Sequence, residues 1–165
     1  MLDDAGRRPG REPVEVRTLP PMFAELPVAA DVLRDALSTP GGYAVEVFAG
    51  SAVLTLGLLA VGVPCLQPWD VVFGPNFDVW ENGYILEELI TKGLVTMVHL
   101  GPPCKSFSFG RFPALRDGAN PHGLPNLGTA EMELVDTGNE LALWSAKVRK
   151  LCYGRGVLFT LENPQ

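Results

Sequence analysis

Tyr43-Ala44-Val45-Glu46-Val47-Phe48-Ala49-Gly50-Ser51 is the stretch that decides the fold. An apolar, β-prone run ends in a glycine, and Ser51 to Val61 then repeats apolar residues at helical spacing, with Leu54, Leu58 and Val61 on one face. Strand, tight turn and helix follow one another without a linker. The same alternation continues downstream. Val63 to Leu66 reads as a second strand, Glu81 to Thr91 as a helix and Val95 to Leu100 as a third strand. Ala130 to Cys152 is helical, with Trp144, Val148 and Leu151 along its core side, and Val157 to Leu161 is a fourth strand. Short apolar strands separated by helices imply parallel βαβ units with helices on both faces, an α/β fold. Such sheets bind ligands at the carboxyl ends of their strands, so the residues after each strand carry the functional reading.

Composition bounds what those ends can do. The chain has 165 residues, 47% of them hydrophobic and 19% charged, which suits one domain with a sizeable core and no charged disordered tail. The longest mostly apolar run, Ala52 to Val63, is too short to span a bilayer, so no membrane partner is expected. A net charge of −6 lacks the broad positive field of proteins that track phosphates, so any nucleic-acid contact is local. Three scattered cysteines without a Cys-x-x-Cys pair, and two histidines, suggest neither a disulfide framework nor a metal site, and point to an intracellular, reducing compartment. Residues 1–27, with five prolines among Arg7, Arg8, Arg11 and Arg17, read as a flexible lead-in. A short amphipathic helix, Ala29 to Leu37, opens the domain proper, residues 28–165.

After the first strand, Gly50 lets a ligand approach the backbone, and Ser51 is placed to cap the following helix. An ordinary βα turn without a ligand would carry the same residues. Asp70, twenty residues beyond Gly50, is at the interval where an acid meets ribose hydroxyls, unless it is a plain surface carboxylate. Asp78, after Gly74-Pro75-Asn76, is a candidate beside an adenine ring. The third strand ends in Gly101-Pro102-Pro103-Cys104-Lys105-Ser106-Phe107-Ser108. Two prolines hold the chain extended and aim the thiol, whose nucleophilic thiolate would be favoured by Lys105, Arg111 and Arg116 where they lie nearby, unless Cys104 is a core cysteine or the Pro-Pro turn is merely structural. His99, on the strand itself, reads as a core or edge residue. Phe109 to Gly128 is a long irregular segment of the kind that closes over substrates. The fourth strand delivers Glu162-Asn163-Pro164 to the same sheet edge, where a carboxyl group can act as an acid.

In order, Phe48-Ala49-Gly50, Gly101-Pro102-Pro103-Cys104 with Phe107-Ser108, and Glu162-Asn163-Pro164 resemble the first, fourth and sixth blocks of the DNA (cytosine-5)-methyltransferases. The resemblance runs from Tyr43 to Gln165. It implies a Rossmann-like domain using S-adenosylmethionine, held by Phe48, Ala49, Gly50, Ser51, Asp70, Asp78 and Pro102. It implies Cys104 as the nucleophile on C6 of a flipped-out cytosine and Glu162 as the acid at N3, with Pro103, Ser108, Arg111 and Asn163 around the base. DNA is then the partner, and the nucleus the compartment if the source is eukaryotic. Ala52 stands where the family has a second glycine and is expected to crowd the methionine end of the cofactor; Lys105 stands where a glutamine is usual. The family's arginine-bearing block and target-recognition region follow the acid, so the resemblance covers a front half, incomplete at the C-terminus. The alternative is a non-catalytic fragment serving as an interaction module in a larger or mobile-element-associated protein.

Overall fold

The computed structural model describes residues 42–108 and 110–162. The lead-in, the helix expected over residues 29–37, and Asn163 lie outside the described residues. Three strands, β1 (Tyr43–Val47), β2 (Val95–Leu100) and β3 (Leu158–Leu161), form a wholly parallel sheet in the order β1-β2-β3. The helices are α1 (Val53–Ala60), α2 (Val79–Thr91) and α3 (Thr129–Arg155). The chain is therefore α/β. None of these helices is long and apolar enough to cross a membrane.

The strand expected at Val63 to Leu66 is not formed as such. Residues 65–69 do run parallel to β1 on its free side, but they pair with it in two isolated bridges, Ala44–Cys65 and Val47–Trp69, and not in a continuous ladder. Pro64 precedes this segment and Pro68 lies within it, and a proline has no N–H to give to a ladder. The direction of travel is nonetheless informative. From β1 the chain moves to one side, to residues 65–69, and then crosses through α2 to β2 on the other side. The carboxyl ends of β1 and β2 thus flank a topological switch point, where open α/β sheets bind ligands.

Alternation in β1 separates the two faces. Val45 and Val47, with Val98 and Leu100 of β2, pack against Leu86, Leu89 and Ile90 of α2 and Val148 and Cys152 of α3. Glu46 points the other way, is only 7% exposed, and accepts hydrogen bonds from Thr55 N (2.7 Å) and Thr55 Oγ1 (2.6 Å). This contact attaches α1 to the opposite face. Ser51 does not cap α1; the N-cap position is Ala52, and Glu46 supplies the acceptor from the neighbouring strand. The apolar side of α1 is also shifted: Leu56 and Leu59 pack with Ala49, Ala52 and Phe73, while Val61 is exposed.

Two helical glycines set how closely the layers approach. A Cβ on Gly83 of α2 would come within 2.7 Å of the Trp144 indole of α3. That indole donates to Glu87 Oε1 (3.1 Å) and stands edge-on to Phe48, with ring centroids 6.0 Å apart. A Cβ on Gly138 of α3 would run into Ser106 Oγ, with Phe107 at 3.1 Å and Arg116 at 3.3 Å.

The segment after β2 is not the free flap that its composition suggests. Leu115 is buried, and Arg116 lies over the Phe107 ring, 3.9 Å from its centroid. Arg116 donates to the carbonyls of Ser106, Pro121 and Val135, to Ser106 Oγ and to Asn139 Oδ1, at 2.6 to 3.1 Å. Asn139 Nδ2 donates to the His122 carbonyl. The loop is stapled to α3, and Arg116 is the staple. Burial lowers its pKa, against the opposing influence of Asp136, and an arginine keeps its charge throughout the ordinary pH range. Arg116→Ala is expected to cost about 2 kcal/mol in urea unfolding, because several carbonyls lose a charged donor in a half-buried setting. Arg116→Lys would recover little of it, since one ammonium cannot span these acceptors. An unchanged midpoint for Arg116→Ala would show that apolar contacts alone hold the loop.

Candidate functional site

Parallel register brings the three strand ends together. Val47 pairs with Leu100, and Leu100 with Leu161, so Phe48, Gly101 and Glu162 emerge side by side. Two further backbone bonds extend the ladder past the strands: Gly101 N to Val47 O (3.1 Å) and Glu162 N to Leu100 O (2.8 Å). Just beyond lies a cavity of about 100 Å³, lined by Pro102, Pro103, Phe107, Leu161 and Glu162 from the strand ends and by Ala142 and Ser145 from α3.

After Pro103 the chain turns back. The Cys104 carbonyl accepts from Phe107 N (2.9 Å) and Ser108 N (3.0 Å), which returns Phe107 to the cavity wall. Cys104 and Lys105 are exposed and are not among the residues lining the cavity. Ser108 accepts locally from Gly110 N (3.2 Å), and Arg111 is half-buried with its Nε unpaired. Arg116, expected beside the thiol, is committed to the loop instead.

At the first strand end, Phe48 and Ala52 both adopt positive φ, 60° and 54°. Ala52 is fully buried and packs with Ala49 and Phe73. Gly50 has φ 53°, and no atom lies within 4 Å of where its Cβ would be. Asp70 closes the same turn: Oδ2 accepts from Gly50 N (2.9 Å) and Oδ1 from Val72 N (3.1 Å). A carboxylate oxygen that accepts one N–H retains a lone pair for a hydroxyl, so Asp70 joins the first turn to the second and still presents acceptor capacity. Asp78 is turned inward, where it caps α2 by accepting from Trp80 N (2.9 Å). It is therefore not placed as a free acid beside a ring. No protein-family profile, curated protein or solved structure matches the chain.

The three thiols differ sharply in setting. Cys65 is buried, and burial, reinforced by the Glu46 charge, pushes its thiol up to about 11. Burial also raises Cys152. Cys104 alone is exposed. At pH 8 a thiol with a pKa near 11 is thiolate in only about one molecule in a thousand, and burial blocks the reagent as well. Ellman's reagent should therefore titrate one thiol per native chain and none in Cys104→Ser. Two or three fast equivalents would contradict the burial of Cys65 and Cys152. As the pH rises from 9 to about 11, an unfolded Cys65 ionises before the folded one, so its contribution to stability is complete below pH 9 and is lost across that window.

Sequence reasoning missed Glu46, Thr55 and Gly138. Each left a trace: a lone charge inside an apolar strand, a threonine at the third position of α1, and a glycine amid good helix formers. Among the described residues no cluster of three or more His, Cys, Asp or Glu side chains could hold a metal ion.

Proposed function

We propose that this chain is a cytosine-5 methyltransferase-like domain that uses S-adenosylmethionine and acts on a flipped-out cytosine in DNA, built on a Rossmann-like sheet. The observation that carries the reading is the register that sets Phe48, Gly101 and Glu162 side by side next to a small cavity. The open space at Gly50 and the remaining acceptor capacity of Asp70 fit a nucleoside. S-adenosylmethionine supplies an electrophilic methyl group when bound.

The residues of the chain do the rest. The Cys104 thiolate forms a bond to C6 of the base, and the electron pair displaced from the C5–C6 double bond makes C5 nucleophilic. The Glu162 carboxyl group holds N3 as charge develops in the ring. Once C5 carries the methyl group, loss of the C5 hydrogen as a proton restores the double bond and expels the thiolate.

A duplex containing 5-fluorocytosine tests this directly, because fluorine cannot leave as a cation and the adduct is trapped. With S-adenosylmethionine present, the chain should form a species stable to denaturing gels that Cys104→Ser does not form. No adduct from a folded chain would defeat the reading. A non-catalytic interaction module is the second reading, favoured by the position of Cys104 outside the residues that line the cavity of Glu162.

A further inference from the structure

Along β2 and β3, alternation and register put His99, Gly101, Thr160 and Glu162 on one face of the sheet, the face that also carries Glu46. The His99 ring is anchored: its Nδ1 lies 2.7 Å from Thr160 Oγ1. When the hydroxyl donates to Nδ1, the ring proton is carried on Nε2. That nitrogen makes no hydrogen bond to Glu162, but the two side chains border one space. His99 Nε2 lies 3.6 Å, and Glu162 Oε2 3.5 Å, from the point a Cβ on Gly101 would occupy. Imidazole and carboxylate thus converge on one spot, kept open because residue 101 has no side chain. The next residue across the sheet, Glu46, is engaged by Thr55 N and Oγ1.

We propose that His99 is a positioning residue for Glu162: its Nε2–H, fixed by Thr160, borders the same space as Oε2 in front of Gly101 and draws the carboxylate toward the strand end by a hydrogen bond when a ligand engages Oε1. Glu162 is exposed and sits where β3 stops, so without such a neighbour its side chain would spread over several rotamers, and each productive contact would have to overcome that freedom. The identity of the ligand at Oε1 rests on the methyltransferase reading; the pairing of His99 with Glu162 does not.

The test reads the imidazole itself. The chain has two histidines, and His122→Gln assigns their signals in a long-range proton–nitrogen correlation spectrum. The neutral His99 ring should be the Nε2–H tautomer, and Glu162→Gln should displace its Nε2 resonance while leaving His122 in place. Gly101→Ala provides the second arm: its Cβ would meet its nearest neighbours at 3.5 to 3.7 Å, ordinary contact distances, so the chain folds but the methyl group fills the space between the pair, keeps them from closing on each other and moves the same resonance. Thr160→Val should give a mixture of tautomers. A His99 resonance indifferent to both Glu162→Gln and Gly101→Ala, or an Nδ1–H tautomer in the native chain, would overturn the proposal. In the trapping assay His99→Ala should slow adduct formation, and His99→Gln, which returns an N–H donor near the place of Nε2, should restore part of the rate. Equal rates for native, His99→Ala and His99→Gln chains would overturn the positioning role. If the native chain traps no adduct while the resonance still answers to Glu162→Gln, the methyltransferase reading fails and the pairing stands.

Discussion

Glu46→Ala is expected to remove about 4 kcal/mol of stability, a large share of what a domain of this size possesses. The carboxylate sits in the middle of β1, 7% exposed, and accepts from Thr55 N at 2.7 Å and Thr55 Oγ1 at 2.6 Å. Thr55 is 1% exposed, so water cannot replace the lost partner without opening the contact. Two buried donors left unsatisfied cost about 1 to 3 kcal/mol each. The helix loses further support, because the N-cap of α1 is Ala52, which offers no side-chain cap, and the negative charge beside its first turn disappears. Glu46→Gln retains an acceptor oxygen and should cost about 1 kcal/mol, mostly from the weaker, uncharged bond. Urea unfolding of the three chains measures both differences. A loss under about 1 kcal/mol for Glu46→Ala would mean that Leu56 and Leu59 hold α1 without help. Cys65 offers an independent check: removing the Glu46 charge should lower its thiol pKa from about 11 while burial keeps it raised.

Gly138→Val is expected to cost about 3 kcal/mol and to loosen the loop that follows Cys104. On propensity alone the change is close to neutral, because glycine and valine are both poorer helix formers than alanine by roughly 0.5 to 1 kcal/mol. Packing decides the sign. Any Cβ at this position meets Ser106 Oγ, the Phe107 ring and the Arg116 guanidinium, the three groups that join the loop to α3. Ser106 is buried and bonded to Arg116, so it cannot rotate away without breaking that bond. The staple would open, and trypsin should cut after Arg116 far faster than in the native chain. Unchanged stability together with unchanged cleavage would show that the loop has room to shift.

The elements of this fold follow local rules, and local rules can be read in order along the chain. β1, β2, α2 and α3 fall close to where alternation and helical spacing place them, and Trp144 and Val148 do pack against the sheet. The exceptions are local too. Pro64 and Pro68 reduce an expected strand to two bridges, a consequence readable from the missing N–H groups once they are counted.

The site divides differently. Glycine after β1, Pro-Pro after β2 and an acid after β3 are features of sequence, because each answers to the chemistry of its own turn. The tertiary structure alone decided what they face. Parallel pairing joins residues more than fifty positions apart, and it placed Phe48, Gly101 and Glu162 in one row while leaving Cys104 at the surface beyond the cavity wall. It turned Asp78 inward as a helix cap, gave Arg116 to the loop and brought His99 and Glu162 to the edges of one space in front of Gly101. A charged side chain has the same composition whether it meets solvent, a ligand or a buried N–H; only the packing of distant segments around it determines which of these it satisfies.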